Sequence, residues 1–337
     1  MNIAEIRKQA REKLQPFCRV CAVCDGKVCA GEVPGMGGAG TGSSFRANLE
    51  ALARQRFVMK TIHSIKKADT SFTLWGVEFS MPIFAAPITG ISYNMGGKLG
   101  EEEFSDIWVG GAAQAGSMGM TGDGADAVMY DGGLKAIQSA GGRGIPFVKP
   151  RGQEEIVKRI RQAEEAGAVA VGMDVDGAGL ITMALKGQPV GPKTPGELAA
   201  VIKSTALPFV VKGIMSPDEA EIAAECGAAA IVVSNHGGRV LDSTPGAADV
   251  LQAIAEKVKG NVTIFCDGGV RSGGDVLKLL ALGADGILVG RPLVVGAFGG
   301  GREGVALLLN RMGNEIVQAM LLTGTSDVRQ VDSAILA

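Results

Sequence analysis

Ile231-Val-Val-Ser-Asn-His-Gly-Gly-Arg-Val-Leu241 decides how the rest of the chain is read. Three β-branched residues run into Ser234, Asn235 and His236, followed by two glycines and Arg239. An unbroken apolar run closed by turn residues reads as a strand buried on both faces. Its end presents an imidazole and a guanidinium three residues apart, a proton acceptor beside an anion clamp. That pair suits the oxidation of a small carboxylic acid. His236 is one of only two histidines in 337 residues, so the sequence offers almost no competing imidazole. The other, His63 in Lys60-Thr-Ile-His-Ser64, has no second ligand-type residue beside it and reads as a loop histidine.

Outward from this strand the same unit repeats. Apolar runs of about five residues fall at 82–86, 117–121, 146–149, 168–173, 208–212, 229–234, 263–266 and 286–289. Helical patterns lie between them at 101–115, 125–140, 153–166, 194–205, 217–226, 245–258 and 274–282, with a last helix at 302–322. Eight strand–helix units in this length predict an α/β fold, a closed (β/α)8 TIM barrel, for which ~250 residues is typical. An open doubly wound sheet would need a Gly-x-Gly-x-x-Gly turn after its first strand, and Pro87-Ile-Thr-Gly-Ile91 does not supply one. Residues 1–14 predict an amphipathic helix that Pro16 stops, 45–60 another, and 72–80 a strand pair around Trp75-Gly76. The expected division is an N-terminal helical, cysteine- and glycine-rich segment, 1–44, and a barrel, 45–337. The run Pro34-Gly-Met-Gly-Gly-Ala-Gly-Thr-Gly-Ser-Ser44 reads as a mobile connector; no strand precedes it and no Gly-Lys-Ser/Thr closes it.

In a barrel the polar residues that end the strands share one mouth. Here they are Thr89, Thr121 to Asp123, Lys149, Arg151, Asp174, Lys212, Ser234, His236, Arg239, Asp267, Arg271 and Arg291. A set so rich in cations implies a large anionic ligand. Asp267-Gly-Gly-Val-Arg271 and Gly290-Arg291 end strands seven and eight, the usual barrel location for a phosphate. Lys212 closes Leu207-Pro-Phe-Val-Val-Lys212, and a lysine buried there needs a negative partner. That partner is either a cofactor ring that becomes anionic on reduction or a carboxylate.

Hydrophobic residues make up 46%, so the chain can build a large core. Net charge is −2 and no basic patch points to nucleic acid. No apolar run reaches the ~18 residues of a membrane span, and the charged first helix lacks a signal-peptide core, so a cytoplasmic location is expected.

Cys226 and Cys266 sit in helical and strand patterns and read as core residues. Cys18-x2-Cys21-x2-Cys24-x4-Cys29 is different. Four cysteines this close, with no secretory signal, favour metal over disulfides. The spacing approaches that of a [4Fe–4S] ferredoxin, with one extra residue before the last cysteine and no following proline. Zinc in four thiolates and unmetallated, redox-labile thiols are the alternatives.

With these pieces placed, the sequence resembles the FMN-dependent 2-hydroxy acid dehydrogenases and oxidases, the glycolate oxidase and lactate oxidase family. The carriers are Val211-Lys212-Gly213, Ser234-Asn-His-Gly-Gly-Arg239 with Leu241-Asp242, Asp267-Gly-Gly-Val-Arg271, Ala281-Leu-Gly-Ala-Asp285 and Val289-Gly-Arg-Pro292. The resemblance covers roughly 45–325 and is densest from 207 to 292. The resemblance implies a flavoprotein in which FMN meets Pro87, Ile88, Thr89, Thr121, Gly122, Lys149, Lys212 and Ser234. Its phosphate would lie on Asp267, Gly268, Gly269, Arg271, Gly290 and Arg291. Lys212 would stabilise the reduced ring, His236 take the substrate's proton, Arg239 bind its carboxylate, and Asp174 orient His236. A homo-oligomer, a tetramer in relatives, is also implied.

The departures concern the substrate. The family supplies tyrosines to the substrate, and this chain's Tyr93 and Tyr130 fall at neither family position. Lys149-Pro150-Arg151 stands where glutamine and tyrosine are usual, so Arg151 is expected at the substrate. Asp176-Gly-Ala-Gly-Leu180 replaces an arginine-rich loop, and 183–194 is short where relatives carry a lid. The leading expectation is oxidation of a lactate- or glycolate-like L-2-hydroxy acid to its 2-keto acid, the electron acceptor being unspecified. The alternatives are an FMN barrel isomerase or reductase of the type 2 isopentenyl diphosphate isomerase kind, and a non-catalytic flavin or redox sensor.

Overall fold

Eight parallel strands close on themselves in the computed structural model, which describes residues 1–337. They are β3 (Ile83–Ile88), β4 (Gly119–Thr121), β5 (Gly144–Val148), β6 (Val171–Asp174), β7 (Phe209–Ile214), β8 (Ala230–Val233), β9 (Thr263–Cys266) and β10 (Gly286–Val289). β10 pairs with β3 through Ile287 and Ile83, which shuts the ring and leaves no sheet edge. Around it run α4 (Glu101–Gln114), α5 (Ala127–Ser139), α6 (Gln153–Glu165), α8 (Pro195–Ile202), α9 (Pro217–Glu225), α10 (Ala247–Val258), α11 (Gly273–Ala281) and α12 (Arg291–Thr323). Short helices α3 (Ile91–Asn94) and α7 (Ile181–Leu185) follow β3 and β6. The eight-unit reading of the sequence is what the molecule builds.

Alternation along each strand sorts two cores. Ile231 and Val233 face the helices, in the larger cluster, whereas Ala230 and Val232 face the barrel interior. The interior holds Phe84, Phe147, Phe265, Met118, Met120 and Leu288. Phe84 meets Phe265 and Phe79 edge-on at 5.8 and 5.1 Å. Phe79 belongs to a hairpin, β1 (Phe72–Leu74) with β2 (Val77–Phe79), that stoppers the barrel at the strands' N-terminal end. Only the C-terminal end is left for a ligand. Phe84→Ala, by opening a void in this stopper, would cost about 3–5 kcal/mol.

The N-terminal residues pack against the barrel. α1 (Ile3–Leu14) has an Asn2–Glu5 capping box and buries Ile6, Ala10 and Leu14, packing on α12. The glycine run expected as a connector is held across the mouth. The Asp242 carboxylate accepts from Thr41 N and Oγ1 (2.6 and 2.7 Å) and from Ser43 N and Oγ (2.9 and 2.6 Å). Ala39 N donates to Gly238 O at 2.8 Å. α2 (Ser43–Arg54) is shorter than its pattern predicts. Beyond it, Val58 N and Lys60 N donate to Ile335 O and Leu322 O, both at 2.8 Å, so tail pairing replaces the last helical turn.

α12 starts at Arg291, well before the expected 302, and kinks at Gly301 (φ +58°). With 33 residues it is long and apolar enough to cross a membrane, although Arg302 and Glu303 interrupt its apolar run. Its apolar face packs on α1 and α4 and buries Leu293, Phe298, Val305, Leu309 and Ile316.

Candidate active site at the barrel mouth

The chain leaves β8 through Ser234 and turns at His236, which holds φ +56°, an uncommon region for a residue with a Cβ. The turn is fixed from several sides. Ser234 Oγ accepts from His236 N at 3.0 Å and from Lys212 Nζ at 2.9 Å. Asn235 Oδ1 accepts from Asn48 Nδ2 at 2.8 Å and Gly238 N at 3.1 Å, while its amide donates to Thr244 Oγ1 and Pro245 O. α2 thereby locks the loop that carries the imidazole.

Behind that imidazole stands Asp176. His236 Nδ1 lies 3.1 Å from each Asp176 carboxylate oxygen. Asp174, the expected partner, is 3.9 Å away and is ion-paired with Lys149. The correction has a local cause. The chain makes a tight 3₁₀ turn at Val175–Gly179 directly after β6, folding Asp176 back over the strand ends. Gly213 (φ +102°) makes room for it, since a Cβ there would sit 2.6 Å from the Asp176 carboxyl carbon. Burial works to raise the Asp176 pKa, but His236, Lys212 and Lys149 outweigh it and hold the group at about 2. An ionised carboxylate can only accept, so Nδ1 carries the proton and Nε2 is left with the free lone pair.

Burial also opposes the charge on Lys212, yet Asp267, Asp176 and Asp174 more than offset it and hold the pKa above its ordinary value. Asp267 Oδ2 is 3.7 Å from its ammonium. Arg239, Arg271 and Arg291 differ, because none of the three forms an ion pair with a carboxylate. Arg239 donates to Gly35 O, Gly37 O and Asn94 Oδ1, and Arg291 to Met36 O, Gly37 O and Gly237 O. Burial lowers Arg239 to about 10; burial, with Arg239 and Arg271 as like-charged neighbours, lowers Arg291 to about 9. Arg271 Nε and Asp267 Oδ1 are buried without a protein partner. Cations left in this condition favour an anion.

One cavity gathers these groups, about 1150 Å³ measured to its open mouth. It is lined by Pro87, Ile88, Thr89, Gly122, Lys149, Asp174, Lys212, His236, Arg239, Asp267, Gly268, Gly269, Arg271, Gly290 and Arg291, as expected from sequence. Three expected residues stand elsewhere. Thr121 is buried below the mouth, and Ser234 lies behind Lys212. Arg151, expected at the substrate, is not among the lining residues and is spent on Asp123 (Nε–Oδ2 3.0 Å), Gly124 O and Gln188. Tyr93, whose sequence position gave it no role, lines the cavity; burial, with Glu101 and Asp126, raises its pKa to about 12. Tyr130 is buried away from it, bonded to Arg159 O at 2.8 Å. Asp176 and Asn48 carry no role in the sequence reading, and Asn235 figures there only in the turn; Gly213, distant in sequence, is what makes room for Asp176.

Cys18, Cys21, Cys24 and Cys29 are half-buried free thiols that line a second cavity next to the first. His63 sits in a loop, with Nε2 2.9 Å from Leu321 O.

A model of the FMN-dependent dehydrogenase family matches residues 35–184 and 184–337. The chain is 46% identical over 132 residues to a 2-hydroxyacid oxidase of Dictyostelium discoideum, covering 39% of this chain and 34% of that protein. It is 47% identical over 130 residues to an L-lactate dehydrogenase of Caulobacter vibrioides, again covering 39% and 34%. The match therefore spans about a third of those relatives' length. Among solved structures, mandelate oxidase with (S)-2-phenylpropionate is 29% identical with a TM-score of 0.79, over 99% of this chain and 97% of that one. A mandelate oxidase mutant with a C4a-OH-FMN adduct aligns at 29% and 0.79 over 98% of both chains.

Proposed function

The chain belongs to the FMN-dependent dehydrogenase family, and from that premise we propose that it oxidises a small 2-hydroxy acid to the corresponding 2-keto acid. The residues present fit FMN. Arg271 and Arg291 with Gly268, Gly269 and Gly290 offer a phosphate its charge and backbone donors. Buried Lys212 offers a cation to an electron-rich ring, and the unpartnered Arg271 Nε points to a missing acceptor. FMN, once bound, would supply a two-electron acceptor for the substrate's α-hydrogen.

The chain's own residues do the rest. Arg239 binds the substrate carboxylate, fixing which face of the α-carbon is presented. His236 Nε2 removes the hydroxyl proton as the α-hydrogen leaves. Asp176 stabilises the imidazolium that forms, and its low pKa keeps it charged through the step. Leu180, Thr182, Met183 and Tyr93 line the same cavity.

The observation that carries this reading is the His236 imidazole, backed by Asp176, in one cavity with a guanidinium that no carboxylate neutralises. The test is anaerobic mixing of the yellow protein with glycolate, L-lactate and L-mandelate. Bleaching of the flavin by at least one acid, with its keto acid as product, is expected; no bleaching by any of them would sink the reading.

A further inference from the structure

Four cysteines within twelve residues all line one cavity beside the barrel mouth, about 1730 Å³ measured to its opening. They are free thiols, none in a disulfide. The loop that holds them is over-determined. Arg7 and Arg11, one turn apart on α1, donate to Val20 O at 3.2 and 2.9 Å, and they also reach Cys21 O and Arg19 O. Val20 is held at φ +46°, a costly conformation for a β-branched residue. On the far side Gly31 N donates to Gly38 O at 2.9 Å, and Gly37 packs so tightly that a Cβ would lie 1.8 Å from Cys29 O. The glycine run therefore shapes the cysteine loop as well as the mouth.

We propose that Cys18, Cys21, Cys24 and Cys29 bind a [4Fe–4S] cluster in this cavity. The geometry separates it from the other thiolate sites. Zinc in four thiolates would bring the sulfurs about 3.8 Å apart, from Zn–S bonds of ~2.3 Å in a tetrahedron. The only trio of potential ligand atoms within 4.8 Å of one another is Asp174, Asp176 and His236, so no three of the cysteine sulfurs are gathered as closely as a zinc site would hold them. A four-iron cube sets one thiolate on each iron at its corners and needs a wider spacing and a cavity between them. Charge agrees, since a cube with four thiolates is a net anion. Arg7, Arg19, Arg271, Arg291 and Arg311 line the cavity, against one acid, Asp25. Two sulfurs already receive donors, Cys18 Sγ from Val20 N and Cys24 Sγ from Arg271 Nη2, both at 3.4 Å. Such bonds to sulfur are among the levers by which proteins tune these clusters. Arg271, Arg291 and Met36 line both cavities, so the site lies immediately behind the phosphate end of the mouth.

The test is metal and sulfide analysis of the full chain, purified without oxygen from cells supplied with iron. About four iron and four acid-labile sulfide ions per chain are expected, with an electron paramagnetic resonance signal that appears on dithionite reduction. Cys21→Ser and Cys24→Ser should each lose most of the iron and the signal, whereas Cys226→Ser, a core cysteine elsewhere, should keep both. Stoichiometric zinc, a pair of disulfides by mass, or four titratable thiols with no metal in the wild-type chain would each overturn the proposal. The wild-type readouts depend neither on turnover nor on whether a serine variant folds.

Discussion

His236 Nδ1 stands 3.1 Å from both oxygens of Asp176, whereas Asp174, two residues earlier in the chain, faces Lys149. The two aspartates therefore do different work. Asp176→Asn removes the charge that stabilises the imidazolium and permits the wrong tautomer. It should lower kcat by roughly 10²–10⁴-fold while leaving KM little changed. Stopped-flow reduction of the flavin by the substrate measures it directly. An equal or larger loss in Asp174→Asn with none in Asp176→Asn would restore the original assignment.

The same pair predicts an acid dependence. Asp176 is held at about 2 against an ordinary value of 3.8, so between those values the folded chain binds fewer protons than the unfolded one. Its contribution to stability is whole above about pH 4 and is lost as pH falls through about 2. The gap in Tm between wild type and Asp176→Asn should be constant near neutrality and narrow below about pH 4. Thermal melts across that range check it.

Arg239 is the substrate's anchor in the proposed reaction. Arg239→Met removes charge-assisted hydrogen bonds of about 1.5–3 kcal/mol, so inhibition by a 2-keto acid should weaken roughly tenfold to a hundredfold. Arg239→Lys should recover only part of this, because an ammonium cannot form the planar two-point contact. Titration of the flavin spectrum with pyruvate or oxalate gives the constants.

Arg151 should behave oppositely. Its guanidinium is buried against Asp123, which keeps Arg159 at 3.2 Å and the Lys149 amide at 3.0 Å when Arg151 is lost. Arg151→Met should cost about 1–3 kcal/mol of stability and leave KM for the acid unchanged. Denaturant unfolding alongside steady-state kinetics separates the two effects.

Asn48 tests the lock on the histidine loop. Its amide donates to Asn235 Oδ1 at 2.8 Å and Ser44 O at 3.2 Å, and its oxygen accepts from Ala247 N at 2.9 Å. Asn48→Ala strands these buried partners and should cost about 1–3 kcal/mol, read as a fall in Tm.

The barrel was legible because each strand is apolar on both faces and each is followed by a helical pattern, so periodicity and count sufficed. The mouth was legible for a related reason: a strand's last polar residue has only one place to point. What failed needed geometry that periodicity does not encode. Asp176 enters the site through a one-turn reversal after β6. Arg151 looked available until Asp123, on a neighbouring strand end, claimed it. Asn48 and the glycine run reach the site across nearly two hundred residues of chain, and nothing local to either marks the destination.

The clasp between Asp242 and Thr41 joins positions 201 apart in sequence. Thr41 leaves the ribosome early, but its acceptor emerges only after six of the eight barrel strands have been made. The nascent chain must carry its own lid undocked for most of synthesis, and seating that lid is a late event set by long-range contact.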